Sequence, residues 1–293
     1  MKTQKPQVSV IIPTYNPDHA LKRAIESVLQ QTFQDFDLII VDDASPDQSA
    51  ETITSAYPQV HLLRLSQNRG PSGARNAGIQ IAEGNLLAFL DHDDEWSPNY
   101  LERQLQTLEA NKNCVLVFCN VAESDDDKTY SLCSFKTWLG YPKLTHRILL
   151  TQDVISTMSI VLIRREAILK AGLLNESLKI CHDKELYLRL LCEGDIAHLP
   201  EKLVTRFIHS NNLSRKKQDL LVEENQRTIE IFFSAQQSLP YRSFLSEARS
   251  YAALRRAKFA KWNHNYFLAL KMFSLAFWLS PSYVFKNMVT RKS

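Results

Sequence analysis

"LLAFLDHDDEWSP", Leu86 to Pro98, runs five apolar residues straight into Asp91, His92, Asp93, Asp94 and Glu95. The first half reads as a buried strand and the second as a turn crowded with carboxylates. Like charges at such close range raise one another's pKa values and oppose compaction, unless a cation neutralises them or water reaches them all. If the strand persists, His92 points away from its neighbours, which favours a structural role for it.

Working outward, similar apolar, β-branched runs recur: "VSVII" (Val8 to Ile12), "DLIIV" (Asp37 to Val41), "VHLLRL" (Val60 to Leu65) and "CVLVFC" (Cys114 to Cys119). Helix-like segments separate them, so the expected class is α/β, with a mostly parallel sheet flanked by helices. Ser45-Pro46-Asp47-Gln48 and Ser97-Pro98 read as caps with proline at the first helical position. Asp42-Asp43 and Asp91 to Asp94 then lie at carboxyl ends of strands, the edge where open α/β sheets bind ligands. Residues 128–152 read as an irregular segment, Ile155 to Ile163 as a strand and Arg165 to Ala171 as a helix. In "CHDKELYLRLLCEG", Leu186, Leu190 and Leu191 share a helical face, which sets Asp183 at that helix's N-terminus.

At 293 residues the chain can bury a substantial core, and 44% hydrophobic with 23% charged residues excludes a disordered or fibrous protein. A net charge of +3 is too small to argue for nucleic acid. Cys114, Cys119, Cys133, Cys181 and Cys192 show no CxxC spacing, so neither a zinc site nor a disulfide framework is signalled. The apolar stretch near the N-terminus is far too short for a spanning helix, which suggests a cytoplasmic protein. From Arg249 onward there is no Asp or Glu, while Arg255, Arg256, Lys258, Lys261, Lys271 and Lys286 alternate with large aromatics. Such helices suit peripheral contact with the inner face of an anionic membrane, or form a hairpin with a solvated basic face. Nucleic acid is the weaker option, since no recognition motif is present.

Residue by residue, two readings compete. The acidic turn holds a divalent ion or is simply solvated. Asp42 and Asp43 bind a ligand or serve as helix-dipole carboxylates. Arg75, in "GPSGARN", meets phosphate oxygens where glycines admit a ligand to the backbone, or pairs with a carboxylate. That stretch lacks GxGxxG and GK[ST], which removes support for dinucleotide and P-loop sites. Asp183 acts as a base or caps its helix.

Four stretches in order, "VSVIIPTYNP", "LIIVDDASPDQS", "NRGPSGARNAGIQIAEGNLLAFLDHDDEWSP" and "GLLNESLKICHDKELYLRL", resemble the signature segments of family 2 inverting glycosyltransferases of GT-A fold. The resemblance implies a GT-A domain over residues 1–214, with a nucleotide-sugar half at 8–120 and an acceptor half at 121–214, and a helical appendage at 215–293. It implies Mn²⁺ or Mg²⁺ at Asp91 and Asp93, with Asp94 completing the acidic motif, and a contact from His209 to metal or phosphate. Pro13, Tyr15, Asp42, Asp43, Arg75 and Asp91 would bind the nucleotide sugar, and Asp183 would be the general base. Glu185 and Arg189 would support it. The chain departs from the pattern where His182 replaces an acid and Phe207 stands at an expected Arg, with Arg206 displaced by one. The implied reaction moves a sugar from a nucleoside-diphosphate sugar, expected to be a UDP-sugar, to a hydroxyl of a glycan or lipid-linked acceptor. The competing reading is a catalytically silent nucleotide-sugar-binding or membrane-docking protein on the same fold.

Overall fold

The computed structural model describes residues 5–125, 128–130, 144–209 and 217–289. The chain runs β1 (Val8–Thr14), α1 (His19–Leu29), β2 (Phe36–Asp42), α2 (Ser49–Thr54), β3 (Val60–Arg64), α3 (Gly70–Ile81), β4 (Leu86–Phe89), β5 (Asp94–Trp96), α4 (Tyr100–Glu109) and β6 (Cys114–Asp125). There follow β7 (Lys128–Tyr130), α5 (His146–Thr151), a 3-10 turn (Met158–Ile160), β8 (Val161–Arg164), α6 (Arg165–Ala171), α7 (His182–Glu193) and β9 (Asp195–Ile208). The last helices are α8 (Gln218–Ser234), α9 (Leu245–Trp262), α10 (Tyr266–Leu279) and α11 (Pro281–Val289).

The strands form one sheet in the order β3-β2-β1-β4-β8-β6-β9-β5, with β7 beside β6. Through β3, β2, β1 and β4 the pairing is parallel, as the alternation of apolar runs and helices predicts. Beyond β4 the sheet is mixed: β8 runs antiparallel to both β4 and β6, and β5 is antiparallel to β9. "CVLVFC" therefore belongs to the mixed half, because β8, laid down later in the chain, separates it from the parallel set.

Every residue of β1 is buried, as befits a strand covered on both faces. Gly78 of α3 lets the helix approach it: a Cβ there would lie 2.6 Å from Ile11 Cγ2. The chain leaves β1 for β2 on one side and returns to β4 on the other, so the switch point of the sheet falls at their carboxyl ends, where ligands bind.

Both expected caps are corrected. The first helix after Asp43 begins at Ser49, with Asp47 rather than Ser45 accepting from its amide, because Ser45 is engaged by Asp42. The next begins at Tyr100, after the short strand β5 has used Asp94 to Trp96. The run Ile155 to Ile163 is strand only from Val161, where the 3-10 turn ends. Within the segment read as irregular, 131–143 lie outside the described residues, together with Cys133. Ile229, Phe232 and Phe233 of α8 and Ala248 and Ala252 of α9 join the main core. Ala253, Ala276 and Val284 form a small separate cluster joining α9, α10 and α11. The packing boundary therefore runs within α9. Among the described residues no single helix is long and apolar enough to cross a membrane.

Candidate active site

The acidic turn resolves its own repulsion by giving each carboxylate a different partner. After β4 the strand ends, and Asp94 N–H closes a turn on Asp91 O at 3.0 Å. Asp91 Oδ1 meets the Arg75 guanidinium and its Oδ2 accepts from Thr157 Oγ1 at 3.1 Å. Burial works to raise the Asp91 carboxyl, but Arg75, Thr157 and His92 outweigh it and hold it below its ordinary value. Asp93 Oδ2 lies 2.9 Å from His209 Nε2, just past the end of β9. Asp94 is buried in β5, where Ser159 Oγ donates to it at 2.5 Å. Burial, then the charges of Asp91 and Asp93, push its carboxyl well above the usual range. Glu95 faces Arg23 Nε at 3.9 Å. Because the strand does not persist, His92 sits in the turn itself, partly exposed.

The 3-10 turn carries the supports that sequence reading missed. Ser159 Oγ accepts from Asp91 N–H at 3.0 Å, and Ser159 O accepts from Trp96 Nε1 at 2.8 Å. Both Ser159 and Thr157 fall in the run expected to be plain strand, so neither carried a signal. Arg23 of α1 was missed as well. Its guanidinium stacks 3.7 Å over the Phe207 ring and donates to Asp93 O at 3.1 Å, bringing an arginine to the place where the chain has phenylalanine. Arg206 instead pairs with Glu123 at 2.6 Å.

Asp42 and Asp43 end β2 beside β1. Asp42 is fully buried, and its Oδ1 accepts from Ser45 N–H at 3.1 Å and from Ser45 Oγ. Its Oδ2 faces Arg64 Nε at 3.5 Å but has no hydrogen-bond donor. Asp43 Oδ1 accepts from Arg69 N–H at 2.7 Å, and burial raises its carboxyl against that bond. Pro13 is buried in β1, whereas Tyr15 just beyond is 50% exposed and open to a stacking partner. The glycines of "GPSGARN" have backbone and packing reasons of their own: Gly70 starts α3 at φ +73°, and a Cβ on Gly73 would clash with Arg69 at 2.3 Å, whereas one on Gly70 would meet open space. Arg75 is accordingly a buried helical residue, its side chain only 5% exposed, held between Asp91 and His182.

Asp183 lies in the first turn of α7, as expected, and its Oδ1 accepts from Lys184 N–H at 2.6 Å. Burial lifts its carboxyl to about 6, against the Lys184 N–H and the charge of Arg75. His182 stands 3.2 Å from Arg75 Nη1 through Nε2, and burial together with Arg75 drops it to about 3. It is therefore neutral, and it accepts from Arg75 where an acid would have done so. Glu185 and Arg189 pair along α7 at 2.6 Å, and Arg189 also donates to Leu173 O at 2.6 Å, which ties α7 to the end of α6.

Two further groups hold the start of α7. Glu224, buried on α8, accepts from the backbone N–H groups of Lys179, Ile180 and Cys181 at 2.8, 2.7 and 3.0 Å. Lys184 is buried, reaches Asp153 at 3.1 Å and stacks 4.8 Å from the Tyr251 ring, while Arg255 of α9 meets the other oxygen of Asp153. Glu224 and Asp153 lie in no motif, so only the fold reveals them. Of the cysteines, Cys114, Cys119 and Cys181 are buried free thiols, and burial raises all three, Cys181 to about 12, which removes them as nucleophiles.

Asp93 and His209 provide one carboxylate and one imidazole, while Asp91 is committed to Arg75 and Thr157. Among the described residues no group of three His, Cys, Asp or Glu side chains gathers as a self-sufficient metal cluster. The donor set fits a divalent ion whose remaining ligands are oxygens of the substrate and water, the habit of Mg²⁺ and Mn²⁺ at phosphates.

An α/β sheet with charged groups converging at its switch point is the architecture of a ligand-binding α/β protein whose site lies at the strands' carboxyl ends. Residues 9–172 match the family described as Glycosyl transferase family 2, and the chain belongs to that family. An uncharacterized glycosyltransferase of Rickettsia prowazekii is 34% identical over 209 residues, 70% of this chain and 65% of that one, so the chain spans about two thirds of that relative's length. The Escherichia coli UDP-Glc:α-D-GlcNAc-diphosphoundecaprenol β-1,3-glucosyltransferase WfgD is 31% identical over 185 residues, 62% of this chain and 68% of its own. A Pyrobaculum calidifontis mannosyltransferase, solved with GDP-Man and Mn²⁺, superposes with a TM-score of 0.63 over 98% of this chain and 88% of its own at 15% identity, a likeness that shows the GT-A-type fold.

Proposed function

We propose that the protein transfers a sugar from a nucleoside-diphosphate sugar, a UDP-sugar in the first instance, to the hydroxyl of a glycan or lipid-linked acceptor, inverting the anomeric carbon. The observation that carries this reading is Asp183, lifted to about 6 at the start of α7 and close enough to the Arg75–Asp91 pair to feel both charges. Such a carboxylate is ionised at neutral pH yet basic enough to accept a proton. Asp183 takes the acceptor proton as that oxygen attacks the anomeric carbon, and the bond to the diphosphate breaks on the opposite face. One displacement inverts configuration, with no covalent intermediate on the protein.

Residues 8–120 take the nucleotide and 121–214 the acceptor. Tyr15 stacks on the base beside Pro13, and Asp42 and Asp43 are the acceptors for its N–H. Asp93 and His209 hold Mn²⁺ or Mg²⁺ beside Asp91, and the ion, when bound, neutralises charge on the departing diphosphate. Arg75 keeps Asp91 and His182 in place. Free thiols and a nucleotide-sugar donor suit a cytoplasmic reaction. WfgD supports a lipid-linked acceptor, because its name states one.

The test is thermal stabilisation by UDP, GDP, dTDP and CDP, each with and without Mn²⁺. A ligand at a hundred times its Kd adds about 2.7 kcal/mol. A metal-dependent shift with one nucleotide is expected and names the donor series. No shift with any of them, in folded protein, leaves a catalytically silent membrane-docking protein as the better reading.

A further inference from the structure

The last helices turn their apolar side outward. α10 buries Met272 and Ala276, and Ser250 Oγ of α9 donates to Ala276 O at 2.9 Å. The rest of its circumference is open: Phe267 is 83% and Trp278 78% exposed, with Tyr266, Leu270, Phe273 and Phe277 also exposed. Trp262, at the end of α9, is 77% exposed, and Phe285 and Met288 of α11 face outward too. α9, α10 and α11 pack around one small cluster, so these exposed residues belong to one helical unit. So many exposed large apolar side chains on one unit mark an interaction site.

Charge selects the occupant. Arg256, Lys258, Lys261 and Lys271 are exposed among these aromatics, and no acidic residue follows Glu247. A second copy would present the same cations to one another across a two-fold axis, which repels. A bilayer of anionic phospholipid answers both features: aromatics settle at the interface and lysines meet headgroups. Neither helix alone is long enough to cross such a surface, and the sharp bend between them favours lying on it. α10, with 14 residues, is about 21 Å long against a hydrocarbon core of about 30 Å, and α11 turns from it by 116°.

We propose that α10, α11 and the end of α9 dock on an anionic phospholipid bilayer and set the Asp183 edge of the site against it. The coupling is direct. Arg255 of α9 meets Asp153, which meets Lys184, the neighbour of Asp183, and Tyr283 of α11 donates to Thr151 O at 3.1 Å. The surface thus adjoins the acceptor side, where a lipid-linked substrate would arrive. That last assignment rests on the proposed transfer reaction, whereas the docking itself does not.

The experiment is sedimentation of the full chain with vesicles of phosphatidylcholine, alone or mixed with phosphatidylglycerol, without nucleotide or acceptor. The protein is expected to sediment with the anionic vesicles and to be released by high salt. Phe267→Ser with Trp278→Ser should abolish binding while leaving the Tm unchanged, because neither side chain is packed. Replacing Lys258, Lys261 and Lys271 by Glu should weaken partition by about a hundredfold or more, each cation being worth about fivefold. Protein that ignores both vesicle types, or variants that sediment like the parent, would overturn the proposal. A dimer that dissociates in the serine variant, with no vesicle binding, would make a second copy the occupant. None of these outcomes bears on nucleotide binding, so docking and transfer fail separately.

Discussion

Replacing Asp183 by Asn separates the energetic role of its burial from its chemical role. The wild-type carboxyl titrates at about 6 in the folded protein against an ordinary value of 3.8. A group whose pKa is raised by folding favours the native state below its unfolded pKa, and that contribution is lost as pH rises through the folded pKa. At about 1.36 kcal/mol for each pH unit between the two values, the ceiling is near 3 kcal/mol, which residual solvent contact reduces to about 1–2 kcal/mol. The Asn variant keeps an oxygen for Lys184 N–H and carries no charge to bury. Its Tm should match wild type below about pH 4 and exceed it by about 2–3 °C above pH 6.5. Scanning calorimetry of both proteins across this range checks it. A gap that is constant with pH, or that closes as pH rises, refutes the burial argument. The same ionisation predicts wild-type transfer that climbs through about pH 6 and then levels off.

Three further outcomes follow from contacts in the site. Glu224→Gln sets an amide against three backbone donors and should cost about 2–4 kcal/mol in denaturant unfolding, with kcat falling more than nucleotide affinity because the start of α7 loosens. Asp93→Asn or His209→Ala should abolish the Mn²⁺ dependence of nucleotide binding in calorimetric titration, while Asp94→Asn, changing a buried carboxyl on Ser159, should leave it. Arg75→Met leaves Asp91 half-buried without its cation and should destabilise by about 1–3 kcal/mol, read from the chemical denaturation midpoint.

The parallel half of the sheet was legible because strands buried on both faces are mostly apolar, as Val8, Val10, Ile11 and Ile12 of the fully buried β1 are. Asp183 was legible because the apolar stripe of α7 fixes its phase. Antiparallel β8 and the placement of β6 were not, since an apolar run carries no direction. The caps failed for a related reason: Ser45 has a hydroxyl suited to a helix amide, and Asp42, three residues back, took it. Residues that act across the fold, Arg23, Ser159 and Glu224, show nothing in sequence, because their partners lie 70, 65 and 44 positions away.

The central claim is that Asp183 takes the acceptor proton in a transfer from a nucleotide sugar. The direct measurement gives wild type and Asp183→Asn the nucleotide sugar that stabilises the protein, together with a polyprenyl-diphosphate-linked sugar acceptor, and follows product formation beside nucleotide affinity. The expected result is product from wild type, a rate at least about a hundredfold lower from the variant, and nearly equal affinities. Equal rates, or nucleotide binding with no transfer by wild type to lipid-linked or free glycan acceptors, would contradict the account.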